Sequence, residues 1–121
     1  DQRSLAVSHL STGNVTFIDY GVPETYKTLI AGTGANLSQS LAISPDGTRI
    51  YLPQTRSNST NLALLFDTTV FPIVNVVDML NLEFVSQERI TIDSADQPVN
   101  MPFAVALSPD GENLYIVNAG F

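Results

Sequence analysis

His9 is the only histidine in this 121-residue chain, and there is no cysteine. The missing cysteine removes thiolate chemistry, cysteine-ligated zinc, disulfides and a Cys-x-x-Cys-His haem attachment from the segment. A single imidazole at the end of an apolar run reads as a hydrogen-bonded structural residue, because no second histidine stands at ligand spacing. Carboxylates are the remaining hard ligands. Asp67, Asp93 and Asp96, with Asn61 or Asn100 beside them, offer oxygens of the kind calcium takes. That ion needs about six or more, and the alternating Asp-x-Asp-x-Asp-Gly loop is absent, so these residues read first as solvated or turn-forming side chains. Serine and threonine abound without a Gly-x-Ser-x-Gly elbow. Gly32-Thr33-Gly34 lacks the third glycine that opens a helix on a dinucleotide, and a β-prone stretch follows it. These patterns identify no catalytic residue, no metal site and no cofactor, and leave enzymatic activity of a larger protein open.

Charge narrows the partners. Twelve acidic residues against five basic ones give a net charge of -7. Lys27 is the only lysine, and Arg3, Arg49, Arg56 and Arg89 are scattered, so the footprint for nucleic acid or an anionic membrane is missing. The longest apolar stretch, Leu62 to Leu82, is interrupted by Asp67, Pro72, Asn75 and Asp78, well short of the roughly 20 apolar residues of a spanning helix. No signal peptide is visible at Asp1, and the expectation is a mature or truncated N-terminus. Asn14, Asn36 and Asn58 fit the glycosylation pattern, a weak signal in a chain rich in Ser and Thr.

The elements that would position any site come from a repeat. Leu41-Ala42-Ile43-Ser44-Pro45-Asp46-Gly47 with Ile50-Tyr51-Leu52 returns 64 residues later as Val105-Ala106-Leu107-Ser108-Pro109-Asp110-Gly111 with Leu114-Tyr115-Ile116. Each copy sets an apolar run before a Pro-Asp-Gly turn and a second run after it, which reads as two antiparallel strands tightly joined. Asp46 and Asp110 are thereby explained as turn residues. Val15 to Asp19 and Ile73 to Asp78 read as one strand in successive units, each closed by an aspartate that satisfies backbone groups. One unit then has four strands, roughly 39–44, 49–53, 73–78 and 84–92. Before it stand three, Leu5–Leu10, Val15–Tyr20 and Thr25–Ile30, and after it two, 103–108 and 113–118. Helical periodicity is poor, with a short helical turn allowed near 78–82.

Ser-Pro-Asp-Gly followed by Ile-Tyr-Leu or Leu-Tyr-Ile-Val-Asn, then an apolar strand ending in Asp, resembles the YVTN-type β-propeller repeat, related in pattern to TolB-like and amine-dehydrogenase β-chain propellers. The resemblance covers most of the chain. It implies an all-β fold of four-stranded antiparallel blades in an incomplete propeller: residues 1–30 as outer strands of one blade, 39–92 as a full blade with an insertion at 55–72, and 102–121 as inner strands of the next. Closed propellers have about four to eight blades, so the chain is expected to be a fragment or a protomer that closes with copies of itself. The fragment is preferred, because Gly120-Phe121 stops where the family continues into a third strand. The resemblance also implies an extracellular or periplasmic location, some such propellers being joined to c-type cytochrome domains.

In such a propeller the loops joining second to third strands and blade to blade share one face, and the Ser-Pro-Asp-Gly turns the other. The loop face would carry His9–Gly13, Ala31–Ser38, Gln54–Pro72 and Asp93–Pro102, with Arg56, Asp67, Phe71, Asp93 and Asp96 as binding candidates: Arg56 as a cation, Phe71 as an apolar anchor. The expected function is a non-catalytic scaffold binding a protein or ligand, with the remaining blades or further copies as partners. The alternatives are the propeller of a redox enzyme whose cofactor domain lies elsewhere, and a repeat unit of a cell-surface or filamentous array.

Overall fold

Among the described residues the chain forms eleven strands. The computed structural model describes residues 4–31, 35–57, 70–92 and 100–120. β1 (Ser4–Ser8), β2 (Val15–Asp19) and β3 (Thr25–Leu29) make a first antiparallel sheet. The central sheet is built on β6 (Arg49–Ser57) and β7 (Val70–Asp78), paired continuously from Arg49↔Asp78 to Ser57↔Val70. Two short strands, β4 (Ala35–Asn36) and β5 (Ala42–Ile43), line the outer edge of β6, while β8 (Glu83–Phe84) and β9 (Ile90–Thr91) line that of β7. β10 (Asn100–Leu107) and β11 (Leu114–Gly120) form a third, two-stranded sheet.

The described strands thus fall into sheets of three, six and two, with instructive features at the edges of the central one. Both edge strands of the central sheet are broken. Residues 37–41 oppose only 52–54 between β4 and β5, and Leu37 takes a left-handed φ of 58° in that bulge. On the other edge, a 3-10 turn at Ser86–Glu88 separates β8 from β9. The helical turn allowed near 78–82 is instead a hydrogen-bonded turn. β6 and β7 also run past the expected 53 and 73, so the two ends of the 55–72 insertion simply lengthen the central hairpin.

Period-two alternation then decides the packing. Ile50, Leu52, Gln54 and Arg56 share one face of the central sheet with their partners Val77, Asn75, Ile73 and Phe71. That face meets the first sheet, where Val15, Phe17 and Leu29 join Ile50, Leu52 and Val77 in a buried cluster that Met79, Leu82 and Phe84 flank. The opposite face, Tyr51, Pro53 and Thr55 with Val76, Val74 and Pro72, lies against β10. Ser40 Oγ donates to the Phe103 carbonyl at 3.1 Å across this second interface.

Two apolar faces remain at the ends of the stack. On the first sheet, Leu5, Ile18 and Tyr26 form one cross-strand row, with Tyr26 79% exposed. On the third sheet, Tyr115 and Val117 stand beside Ala106 and Ala104, with Tyr115 61% exposed. In the repeat Tyr115 corresponds to Tyr51, whose face is covered by β10.

Leu52 has no solvent exposure. Leu52→Ala is expected to cost about 2–5 kcal/mol in urea unfolding, as a buried leucine truncation does. Gly13 has a φ of 69°, and a Cβ there would strike the Ala35 carbonyl. Gly13→Ala should lower stability by roughly 1–3 kcal/mol in the same titration; an unchanged midpoint would show that this approach of loop to strand is not tight.

Candidate functional site

The two ends of the central sheet differ in chemistry. At one end the repeated turns form nearly identical hydrogen-bond clasps. Ser44 N donates to the Arg49 carbonyl at 2.9 Å and Gly47 N to the Ser44 carbonyl at 2.8 Å; Ser108, Asn113 and Gly111 repeat the pattern, at 2.9 Å for both bonds. Gly47 and Gly111 have φ of 71° and 76°, the left-handed backbone that glycine supplies at no steric cost. Asp46 accepts from Ser44 Oγ and from Thr48 N, and these bonds hold its carboxyl below the usual carboxylate range. Asp110 is lowered in the same way by Ser108 Oγ and Glu112 N.

Asp78 closes β7 by accepting from Leu80 N at 2.7 Å and Asn81 N at 3.2 Å, and Asp19 closes β2 by accepting from Gly21 N at 3.0 Å. The same backbone donors, Asn81 before Leu80, lower the Asp78 pKa. Arg49 makes a two-pronged bond to Glu88, at 2.9 and 3.0 Å, and reaches Asp78 at 3.5 Å. The Glu88 bond raises the Arg49 pKa, and its reciprocal lowers that of Glu88. Near this end, a cleft of about 650 Å³ opens beside the first and central sheets, lined by Ala6, Phe17, Met79 and Leu82. Lys27, also in its wall, donates to the Leu82 carbonyl at 3.2 Å.

The middle of the central sheet carries a buried polar relay. Gln54 Nε2 donates to the Gly13 carbonyl at 2.7 Å, Asn75 Nδ2 donates to Gln54 Oε1 at 2.6 Å, and Arg89 Nε donates to Asn75 Oδ1 at 2.7 Å. Gln54 and Asn75 are buried, so their amides would be costly without these partners. Burial pushes the Arg89 guanidinium below the usual arginine range, and the like charge of Arg56 pushes the same way. Arg56 is exposed and lies directly across the β6–β7 ladder from half-buried Phe71.

Of the residues singled out from sequence, the structure therefore brings Arg56 and Phe71 together. Asp67, Asp93 and Asp96 lie outside the described residues. None of these five lines the cleft. Among the described residues, no three His, Cys, Asp or Glu side chains gather as metal ligands, and no helix is long and apolar enough to cross a membrane. His9 Nε2 bonds to Thr16 Oγ1 at 2.8 Å, and Thr16 Oγ1 to Thr28 Oγ1 at 2.8 Å, a row across the first sheet. Asn14 Oδ1 accepts from Ala31 N at 3.1 Å, so this glycosylation candidate already holds a strand connection.

Sequence reading missed Gln54, Asn75 and Arg89. Gln54 stands 64 residues before Asn118, a polar residue at the same place in the repeat, and Asn75 interrupts an otherwise apolar strand. Arg89 carried no such signal.

These sheets, stacked face to face with the strand order of a four-stranded blade, define an all-β fold of propeller type. Hydrazine synthase of Kuenenia stuttgartiensis shares it, with a TM-score of 0.75 over 94% of this chain at 16% sequence identity. This chain spans 33% of that protein's chain, and the likeness is one of fold. No protein-family model and no curated protein matches the chain.

The lowered carboxylates fix a pH dependence. Asp46, Asp78, Glu88 and Asp110 contribute stability that is present above the ordinary carboxylate pKa of about 4 and is lost as pH falls through their lowered values. The urea midpoint should accordingly fall once pH drops below about 4, and the double variant Ser44→Ala with Ser108→Ala should show a shallower fall. An equal slope in the variant would mean that the serine bonds do not tune these aspartates.

Proposed function

We propose that this chain is a rigid section of a YVTN-like propeller that presents the loop end of its central sheet to a protein partner, in an extracellular or periplasmic protein. The observation that carries the reading is the pairing of Arg56 with Phe71, a cation and an aromatic ring side by side where β6 and β7 leave the sheet. Interfaces draw their affinity from such anchors. Residues 1–30, 39–92 and 102–121 act as successive units, and further blades cover the exposed Tyr26 and Tyr115 faces. A second reading draws on the fold shared with hydrazine synthase: the section walls a redox enzyme whose cofactor is held elsewhere. A haem Soret band in the native protein would favour it.

Site-specific photo-crosslinking in the producing cell tests the first reading. Benzoylphenylalanine in place of Phe71 should give one discrete adduct, the same group in place of exposed Leu80 at the turn end should give none, and Arg56→Ala should weaken capture roughly tenfold. Equal capture from both ends, or capture indifferent to Arg56, would remove the loop end as the binding face.

A further inference from the structure

The repeat extends into the backbone of two edge strands. Leu37 has a φ of 58° and Met101, its counterpart 64 residues on, a φ of 49°. Each follows an asparagine, Asn36 or Asn100, and each stands at a break in pairing. Residues 37–41 form the bulge between β4 and β5, and Phe103 is the extra residue between the Pro102↔Asn118 and Ala104↔Val117 rungs of β10. Both lie toward the loop end: Ala35 and Asn36 pair with Arg56 and Thr55, and Asn100 pairs with Gly120, far from the turn at Ser108. The two edges are neighbours, joined by the bond from Ser40 to the Phe103 carbonyl.

A left-handed backbone suits glycine and asparagine, and a bulky apolar residue adopts it under strain. Strain of this kind persists where the surrounding structure or the function requires the residue. The third left-handed apolar residue among the described ones has an internal use: Leu82, with a φ of 51°, packs against the buried cluster of Val15, Phe17 and Ile50. Neither Leu37 nor Met101 joins that cluster, and they are 38% and 43% exposed. Glycine would make the same bend with less strain; what it cannot supply is an apolar side chain. Bulges re-aim side chains, and here they do so at the same place in two successive units.

The sequence around these two residues selects the chemistry they meet. No Asp, Glu, Lys or Arg occurs from residue 35 to 45 or from 100 to 109, in a chain whose net charge is -7. Leu37 also stands two residues from Ala35, which shares a rung with Arg56 and, through it, with Phe71. The edge therefore continues the surface on which a partner is proposed to dock. We infer that Leu37 and Met101 are repeated apolar contacts of that surface, covered by an uncharged apolar stretch of the docking polypeptide. The inference rests on the proposed docking role of the loop end and names the chemistry recognised beside Arg56 and Phe71.

Methyl spectra of the ¹³C-methionine-labelled chain provide the test, because Met101 and Met79 are its only methionines and Met79 packs against the core. The probe is N-acetyl-leucyl-leucine amide, with N-acetyl-glutaminyl-glutamine amide as an uncharged polar control. The Met101 methyl should move and saturate at millimolar probe while Met79 stays still, and the polar control should move neither. Leu37→Gly and Leu37→Asn, both suited to a left-handed backbone, should leave the urea midpoint unchanged or raised. Each should weaken probe binding, and capture through benzoylphenylalanine at Phe71, roughly fivefold. A midpoint lowered by both variants would show that Leu37 serves the fold and overturn the contact. Absent or non-saturating Met101 shifts, equal movement of Met79, or equal binding of the polar control would overturn it as well. If the titration succeeds while Phe71 gives no adduct, the docking role falls and the apolar site stands; if Phe71 captures a partner that neither Leu37 variant weakens, the docking role stands and this inference falls.

Discussion

The β6–β7 ladder is buried on both faces, and this condition governs the rest of the structure. A half-buried sheet tolerates polar residues at every second position, but a sheet with neighbours on both sides does not. Residues 72–77 are accordingly all buried, and Asn75 is the one polar side chain among them. An amide in that position stays only if every strong donor and acceptor finds a partner. Gln54 and Arg89 meet that need, and the Gly13 carbonyl closes the row from the neighbouring sheet. The polar relay is thus a consequence of two-sided packing, and it also holds the half-buried Arg89 guanidinium against the sheet.

That arrangement separates the two ends of the molecule by chemistry. The turn end is self-contained: serine hydroxyls and backbone N–H groups satisfy its aspartates, and Glu88 and Asp78 hold Arg49. Its clasps repeat from one sheet to the next, as expected of parts that shape a blade. At the other end, Arg56 and the aromatic ring of Phe71 lie side by side across the ladder. The cleft near the turns offers apolar walls, with Lys27 already bonded to a carbonyl.

Much of the fold was legible because it depends on local chemistry. Pro-Asp-Gly fixes a turn wherever it occurs, and Asp19 and Asp78 close strands by bonding to backbone N–H groups two or three residues on. The bulge at 37–41 and the 3-10 turn at Ser86–Glu88 were not legible, since edge strands pair on one side only and obey their sequence less strictly. Arg56 and Phe71 were found individually as a cation and an anchor; their adjacency is a matter of register, which a strand's composition does not encode. Arg89 was missed because its significance lies in Asn75 and Gln54, which come from two other strands.

The stack of sheets ends in two apolar faces of the same kind as those it buries internally, and under the proposed function both are blade interfaces. Hydroxyl-radical footprinting of the intact native protein, read at its tyrosines, tests this most directly. Tyr26 and Tyr115, 79% and 61% exposed in the chain alone, should be protected to the level of half-buried Tyr51. Oxidation of both as readily as a free tyrosine would show that these faces stay open to solvent, and would contradict the propeller packing on which the proposed function rests.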